Sequence, residues 1–136
     1  MRIPMMAAAT AALVAAGCAM TLQERVSSRH GAALFAQECA ACHGAGGTGY
    51  AGPARDWTPP PDLTTLARRN GGTFPQLAIL STIDGLERHG QASAIMPEFG
   101  AGDMGPTVVV EMEEGVGTPI PADLIALGEH LRSIQR

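Results

Sequence analysis

The feature that most constrains this chain is the segment Cys39-Ala40-Ala41-Cys42-His43, which places two thiols and an imidazole within five residues. A thioredoxin-like C-x-x-C pair would follow a strand in a βαβ unit, whereas this pair is predicted to end a helix. A zinc site would need two more ligands nearby, and no further cysteine remains there. A simple disulfide between Cys39 and Cys42 stays open as an alternative.

The C-x-x-C-H spacing is the attachment signature of a c-type haem. Two thiols that add to the two vinyl groups of one haem must lie a fixed distance apart on one short stretch of chain. The next residue then lies under the iron, where an imidazole serves as the fifth ligand. The sequence therefore predicts one haem c, attached covalently through Cys39 and Cys42, with His43 as a metal ligand.

Composition fits a small domain that is completed by a large apolar group. The chain has 136 residues, about one domain. Its aromatic residues are one Trp, one Tyr and three Phe, and 17 Gly and 10 Pro thin the core further. The formal charge is -4, and every basic residue is arginine. A nucleic-acid partner is therefore not expected, because neutralising phosphates needs a basic face.

The N-terminus has the layout of an export signal. Arg2 is followed by an apolar run over residues 5–16, which is shorter than the roughly 20 residues that span a bilayer. The segment Ala15-Ala16-Gly17-Cys18 resembles the lipobox of bacterial lipoproteins, in which the cysteine carries the lipid. This predicts a periplasmic protein lipid-anchored at Cys18. Ordinary cleavage to a soluble periplasmic protein and an uncleaved anchor are the alternatives.

Periodicity and capping residues predict the organisation of the rest. We expect a signal peptide over 1–17, a tether over 18–27 and one domain over 28–136. Within that domain, the first predicted helix covers 28–41 and is capped by Ser27 or Ser28, and an ordered loop over 44–61 follows it. A short helix from Asp62 through Arg69 and a helix from Pro75 to Asp84 come next. The remaining elements are a loop over 86–106, a short extended segment or hairpin near 107–112, and a final helix started by Pro119 and Pro121.

Residues 28–136 resemble a bacterial class I cytochrome c. The resemblance rests on Gly31-x-x-x-Phe35 before the C-x-x-C-H motif, Gly52-Pro53 after it, Met96-Pro97-x-Phe99-Gly100, and the closing helix. It implies an all-α fold of three to five short helices around the covalent haem, with the N- and C-terminal helices crossing. The family usually has an aromatic residue on the last helix, where this chain has His130 before Leu131.

The second axial ligand has several candidates, which are Met96, Met104, Met112, His30, His89 and His130. Pro97 keeps Met96 out of the α region, so a loop there can point the thioether at a metal. The resemblance favours the same residue, because methionine-proline is the usual ligand signature of the family.

The resemblance also implies roles around the haem. The Pro53 carbonyl would accept a hydrogen bond from His43 Nδ1, which fixes the ring and raises its basicity. Tyr50, Arg55 and Trp57 are candidates to bind the haem propionates, with ordinary loop packing as the alternative.

The function implied is that of a monomeric single-haem electron carrier, not an enzyme, with axial ligands His43 and Met96. Its partners would be redox proteins such as membrane-bound respiratory complexes or a periplasmic dehydrogenase. The alternative is a dedicated cytochrome c subunit of a periplasmic dehydrogenase or oxidase complex. A haem-based sensor or peroxidase is a third possibility, for which the sequence offers no catalytic partner except His89.

Overall fold

A computed structural model of the chain describes residues 20–50, 52–53, 58–86 and 96–136, and for residues 112 and 113 the backbone alone. The helices are α1 Leu22–Arg25, α2 Ser28–Leu34, α3 Ala40–His43, α4 Leu66–Arg69, α5 Gln76–Asp84 and α6 Ala122–Ser133, and the strands are β1 Thr107–Glu113 and β2 Val116–Pro121. Single 3-10 turns cover Leu63–Thr65 and Phe99–Ala101. None of the helices in these ranges is long and apolar enough to cross a bilayer.

The N-terminal helix runs without a break from α2 through a π-helical turn, Phe35–Cys39, into α3. Ser27 caps it, because its hydroxyl accepts a hydrogen bond from the His30 N–H at 3.2 Å. The predicted helix is thus confirmed, and of the two candidate caps Ser27 is the correct one. The π turn contains both Phe35, which is buried, and Cys39, which packs against the core.

Helices α2 and α6 pack against each other at Gly31. A Cβ atom on Gly31 would overlap the backbone carbonyl of Ala126, so the two helices approach more closely than a side chain would allow. On α6, Leu124, Leu127 and Leu131 recur at spacings of three and four residues and form an apolar stripe that is buried in the core. The rest of the core is formed by Phe35, Leu80, Ile83, Ile120 and Ile125.

His130 takes the position on the last helix where an aromatic ring was expected. Its imidazole packs against Phe35, with ring centroids 5.1 Å apart and planes tilted by 52°. An imidazole can therefore serve as the aromatic partner in this helix contact. Burial lowers the pKa of His130 below its ordinary value, because the charged form loses hydration there.

The extended segment expected near 107–112 is a longer β-hairpin. β1 pairs antiparallel with β2, and the register places Thr107 opposite Pro121 and Val109 opposite Pro119. The expectation that Pro119 starts the last helix was wrong, because that residue lies within β2, where an edge strand tolerates a missing N–H. Pro121 is the N-cap of α6. The hairpin thus joins the loop after residue 101 to the last helix.

Helices α4 and α5 lie between the first helical run and the hairpin in the chain order. Asp62 caps the predicted short helix, accepting hydrogen bonds from the Thr64 N–H at 2.8 Å and the Thr64 hydroxyl at 2.6 Å. The next predicted helix was expected to start at Pro75, but Pro75 is the N-cap of α5 and the first helical residue is Gln76. α5 ends at Gly85, whose φ of 95° is left-handed and favours glycine.

The segment expected to be a tether is partly helical. Thr21 and Glu24 form a capping box around the single turn α1. Val26 then packs against the core. Within residues 18–27, the part that the structure describes is therefore folded onto the domain.

The close approach at Gly31 gives a first prediction. Gly31→Ala should lower the free energy of unfolding by roughly 2–3 kcal/mol, because the added methyl group forces α2 away from α6. Denaturant unfolding of the holoprotein measures this. Gly102→Ala is the matched control, since its Cβ would meet its nearest neighbour at an ordinary 3.5 Å. Equal loss in both variants would contradict the close contact.

The histidine in the helix contact gives a second prediction. Because the pKa of His130 is lowered in the folded state, the unfolded chain binds this proton first as the pH falls. The stability contributed by neutral His130 is present above its unfolded pKa, about 6.5, and is lost as the pH falls toward the lower folded pKa. His130→Phe should remove this part of the acid destabilisation. Unfolding free energies compared at about pH 8 and pH 5 check it, and an unchanged pH dependence would count against it.

Candidate haem-binding site

A cavity of about 250 Å³ lies beside the C-terminal end of the N-terminal helix. Most of its wall is apolar. The residues that line it are Glu38, Cys39, Cys42, His43, Thr58, Pro59, Pro60, Pro61, Met96, Pro97 and Phe99. Three separate stretches of chain therefore meet here: residues 38–43, residues 58–61, and residues 96–99, which we call the Met96 segment.

The two thiols face this cavity from the end of the helix. Both are free, with Cys39 half-buried against the core and Cys42 exposed. Burial raises the pKa of the Cys39 thiol to about 11, and the neighbouring Glu38 carboxylate and Cys42 add to the rise. Cys39 is therefore a neutral thiol at ordinary pH. Cys39 and Cys42 are three residues apart, and both line the same cavity, so one bound group can contact both sulfur atoms.

His43 presents its imidazole to the same cavity. Burial lowers the pKa of His43, and the backbone of Pro61 partly offsets this. Burial therefore favours the neutral ring, which is the form in which an imidazole nitrogen binds a metal. Its Nδ1 atom is buried and has no well-formed hydrogen bond to any described residue.

The hydrogen bond expected from His43 Nδ1 to the Pro53 carbonyl is not formed in this structure. Pro53 is exposed and does not contribute to the wall of the cavity. The proline whose backbone interacts with the His43 ring is Pro61, which follows Pro59 and Pro60 along one wall. Pro61 is separated from the motif by a loop whose path the sequence pattern did not specify.

The proline wall is the part of the site that the sequence reasoning missed. Three consecutive prolines have fixed φ angles and cannot enter a helix, so they form a stiff apolar edge. Asp62 fixes the end of this edge by capping the next helix. Pro-Pro-Pro directly before a capping aspartate was the signal that could have identified it.

The Met96 segment is held in place by the end of α5. A Cβ on Gly85 would meet the side chain of Glu98 at 2.7 Å, so the segment passes directly over this glycine. Phe99 begins a 3-10 turn, and Phe99 and Met96 both pack against the core. The Met96 side chain is thereby positioned at the cavity from a chain segment distant from the motif.

The structure separates Met96 from most other candidates for the second axial ligand. Met104 is half-buried against the core and lies outside the lining of the cavity. His30 bonds to Asp123 at 2.9 Å, and His130 packs on Phe35. Among the candidates whose side chains are described, only Met96 lines the cavity. The side chain of Met112 and all of His89 lie outside the described residues.

The structure does not place any of the three residues proposed to bind the haem propionates at the described wall of the cavity. Tyr50 is half-buried with its ring beside Gly52, and it is not among the described residues that line the cavity. Arg55 and Trp57 lie outside the described residues, as does Cys18. Their roles stay predictions.

A covalently attached haem fits this site on three observations. The two thiols line the same cavity, the neighbouring imidazole is half-buried with an Nδ1 that has no hydrogen-bond partner among the described residues, and the wall is apolar with a thioether on it. Cys39 and Cys42 would hold the macrocycle, and His43 would bind its iron. A helical domain with this set of side chains around one apolar cavity has the features of a c-type haem protein.

The family model for cytochrome c matches residues 28–113. The chain therefore belongs to the cytochrome c family, whose members bind haem c covalently and transfer electrons through it. The helices and the small two-stranded sheet are broadly compatible with the cytochrome c fold. A comparison with curated proteins and one with solved structures each give no match.

The attachment chemistry gives a third prediction. The double variant Cys39→Ser/Cys42→Ser should lose all covalent haem, because a hydroxyl does not replace a thiol in the thioether bond. Extraction with acidified acetone measures this: haem stays with the parent polypeptide and leaves the variant. Cys18→Ser is the control and should retain its haem, and haem retained by the double variant would contradict the assignment.

Proposed function

We propose that this chain is a single-haem electron carrier in which His43 and Met96 are the two axial ligands. The observation that supports this most strongly is that the imidazole and the thioether line the same apolar cavity as the two thiols. They reach it from distant chain segments, the end of the N-terminal helix and the loop after α5. Such an arrangement suits a flat macrocycle held between two ligands.

The ligand set favours electron transfer over catalysis. Bound haem supplies an iron that changes between the ferrous and ferric states. His43 and Met96 would together hold the iron, which would leave no open site on it for substrate oxygen or peroxide. The thioether and the apolar wall of Pro59, Pro60 and Phe99 would favour the ferrous state and so raise the reduction potential of a bound haem.

Two described histidines are engaged away from the cavity, while His89 lies outside the described residues. His30 is paired with Asp123, and His130 packs within the helix contact. Within the described ranges, His43 is the one histidine on the cavity wall. A peroxidase or a gas sensor would use a distal base or a labile ligand, for which the described residues give no support.

A dedicated subunit of a periplasmic dehydrogenase or oxidase is the second candidate. Leu77 and Leu86, at the two ends of α5, are 48% and 61% exposed. Leu86 follows Gly85, which contacts the Met96 segment. Exposed apolar side chains of this kind suit a stable interface with a partner protein.

We further propose a periplasmic location with a lipid anchor on Cys18. The apolar run over residues 5–16 and the lipobox-like segment before Cys18 support it. An anchored carrier would act along the membrane surface with redox proteins as partners. With no lysine in the chain, a ring of lysines around the haem edge cannot guide docking.

The axial ligand gives a fourth prediction. Met96→Ala should abolish the Fe–S charge-transfer band, lower the reduction potential and allow carbon monoxide to bind the ferrous protein, because one axial position opens. Optical spectra of both redox states and redox titration measure these changes. Met104→Ala is the matched control and should keep the band. A band that persists in Met96→Ala would reassign the ligand and overturn the proposal.

The anchor gives a fifth prediction. Cys18→Ser should move the protein from the membrane fraction to the soluble periplasmic fraction, because the lipid-bearing thiol is gone. Fractionation followed by haem staining measures the distribution. Continued association of Cys18→Ser with membranes would indicate an uncleaved signal or a tightly bound protein.

A further inference from the structure

The chain enters the fold almost immediately after the proposed lipid-bearing cysteine. We call residues 20–27 the N-terminal arm. One residue, Ala19, separates Cys18 from Met20. Because each extended residue spans at most about 3.6 Å, Met20 lies within about 7 Å of Cys18.

The arm is stabilised by its own hydrogen bonds. The carboxylate of Glu24 accepts hydrogen bonds from the Thr21 N–H at 2.9 Å and from the Thr21 hydroxyl at 3.0 Å. The Glu24 N–H donates to the Thr21 hydroxyl at 3.2 Å. The Ser27 hydroxyl donates to the Glu24 carbonyl at 2.6 Å and also caps α2. The arm is therefore joined to α2 without a flexible break.

The arm is also tied to the last helix. The Arg25 guanidinium lies 3.6 Å from the Asp123 carboxylate, which pairs with His30 of α2 at 2.9 Å. Val26 packs against the core beside this ion cluster. These contacts link the arm to both crossing helices, so its orientation relative to the domain is set.

Two apolar side chains of the arm point away from the core. Met20 is 48% exposed and Leu22 is 51% exposed. The charges of Glu24 and Arg25 are used within the arm and in the pair with Asp123. The polar side chains of Thr21, Gln23 and Glu24 are exposed beside them, so the exposed surface of the arm is amphipathic, with Met20 at the end nearest Cys18.

We infer that the N-terminal arm seats the domain on the lipid bilayer, with Met20 and Leu22 in the interfacial region. This rests on the proposed lipid anchor at Cys18, which holds the arm at the headgroup level. Apolar side chains next to an anchor add binding that does not depend on lipid charge. The contact therefore orients the domain, and the anchor supplies most of the membrane affinity.

Contact between the N-terminal arm and the bilayer would leave the haem site at a distance from the membrane. The helical run from Ser28 to His43 separates the arm from the C-x-x-C-H motif by roughly 20 Å. The cavity lies at the end of that run, away from the arm. Seating the arm on lipid leaves the cavity free to meet a protein partner.

The test uses the mature, lipidated holoprotein bound to vesicles of uncharged phosphatidylcholine. Amide hydrogen exchange over residues 20–27 is compared between the parent and Met20→Ser/Leu22→Ser. We expect several-fold slower exchange in the parent on vesicles. Leu77→Ser/Leu86→Ser, which removes two exposed leucines elsewhere, should exchange over the arm as the parent does.

The same pair is compared in the soluble Cys18→Ser background, where we expect equal exchange. A difference there would overturn the inference, because the two side chains would be stabilising the arm itself. Equal exchange on vesicles would overturn it while leaving the anchor intact. Mass spectrometry of the parent tests whether Cys18 carries lipid. A chain without lipid would overturn both the anchor proposal and the proposed contact between the arm and the bilayer.

Discussion

The close packing of α2 on α6 at Gly31 is the contact on which the rest of the structure depends. The N-terminal helix runs from this contact through the π turn to Cys39 and His43. The contact therefore fixes where the thiols and the imidazole lie relative to the core. Phe35 strengthens it from one side by packing on His130. A chain this poor in aromatic residues relies on such close backbone contact to hold a reactive motif in place.

Charge and apolar surface are distributed unequally along this helix pair. The ion cluster of Arg25, His30 and Asp123 lies at the start of α2 and α6. The cavity at the other end is lined by prolines, Phe99 and Met96, with the carboxylate of Glu38 as its charged group. Burial at the apolar end lowers the pKa of His43 and so favours its neutral form. The separation also leaves the polar end available to fix the N-terminal arm.

Local features could be predicted from the sequence with good accuracy. The C-x-x-C-H motif, the caps Ser27 and Asp62, and the apolar stripe of α6 depend on residues within one or two helical turns. Cys39, Cys42 and His43 of the candidate site could be predicted because they lie within one short motif. Met96 was selected through its neighbour Pro97 and the resemblance to a family, and the structure brings it to the cavity.

The sequence alone determined the attachment chemistry, because two thiols and an imidazole at fixed spacing need no tertiary information to be recognised. The tertiary structure decided that the backbone of Pro61 approaches His43, whereas the resemblance had implied Pro53, because the path of the chain after the motif depends on tertiary contacts. It also decided that Pro119 belongs to a strand and that part of residues 18–27 is folded. These outcomes depend on contacts between distant residues, whose free energies no local pattern contains.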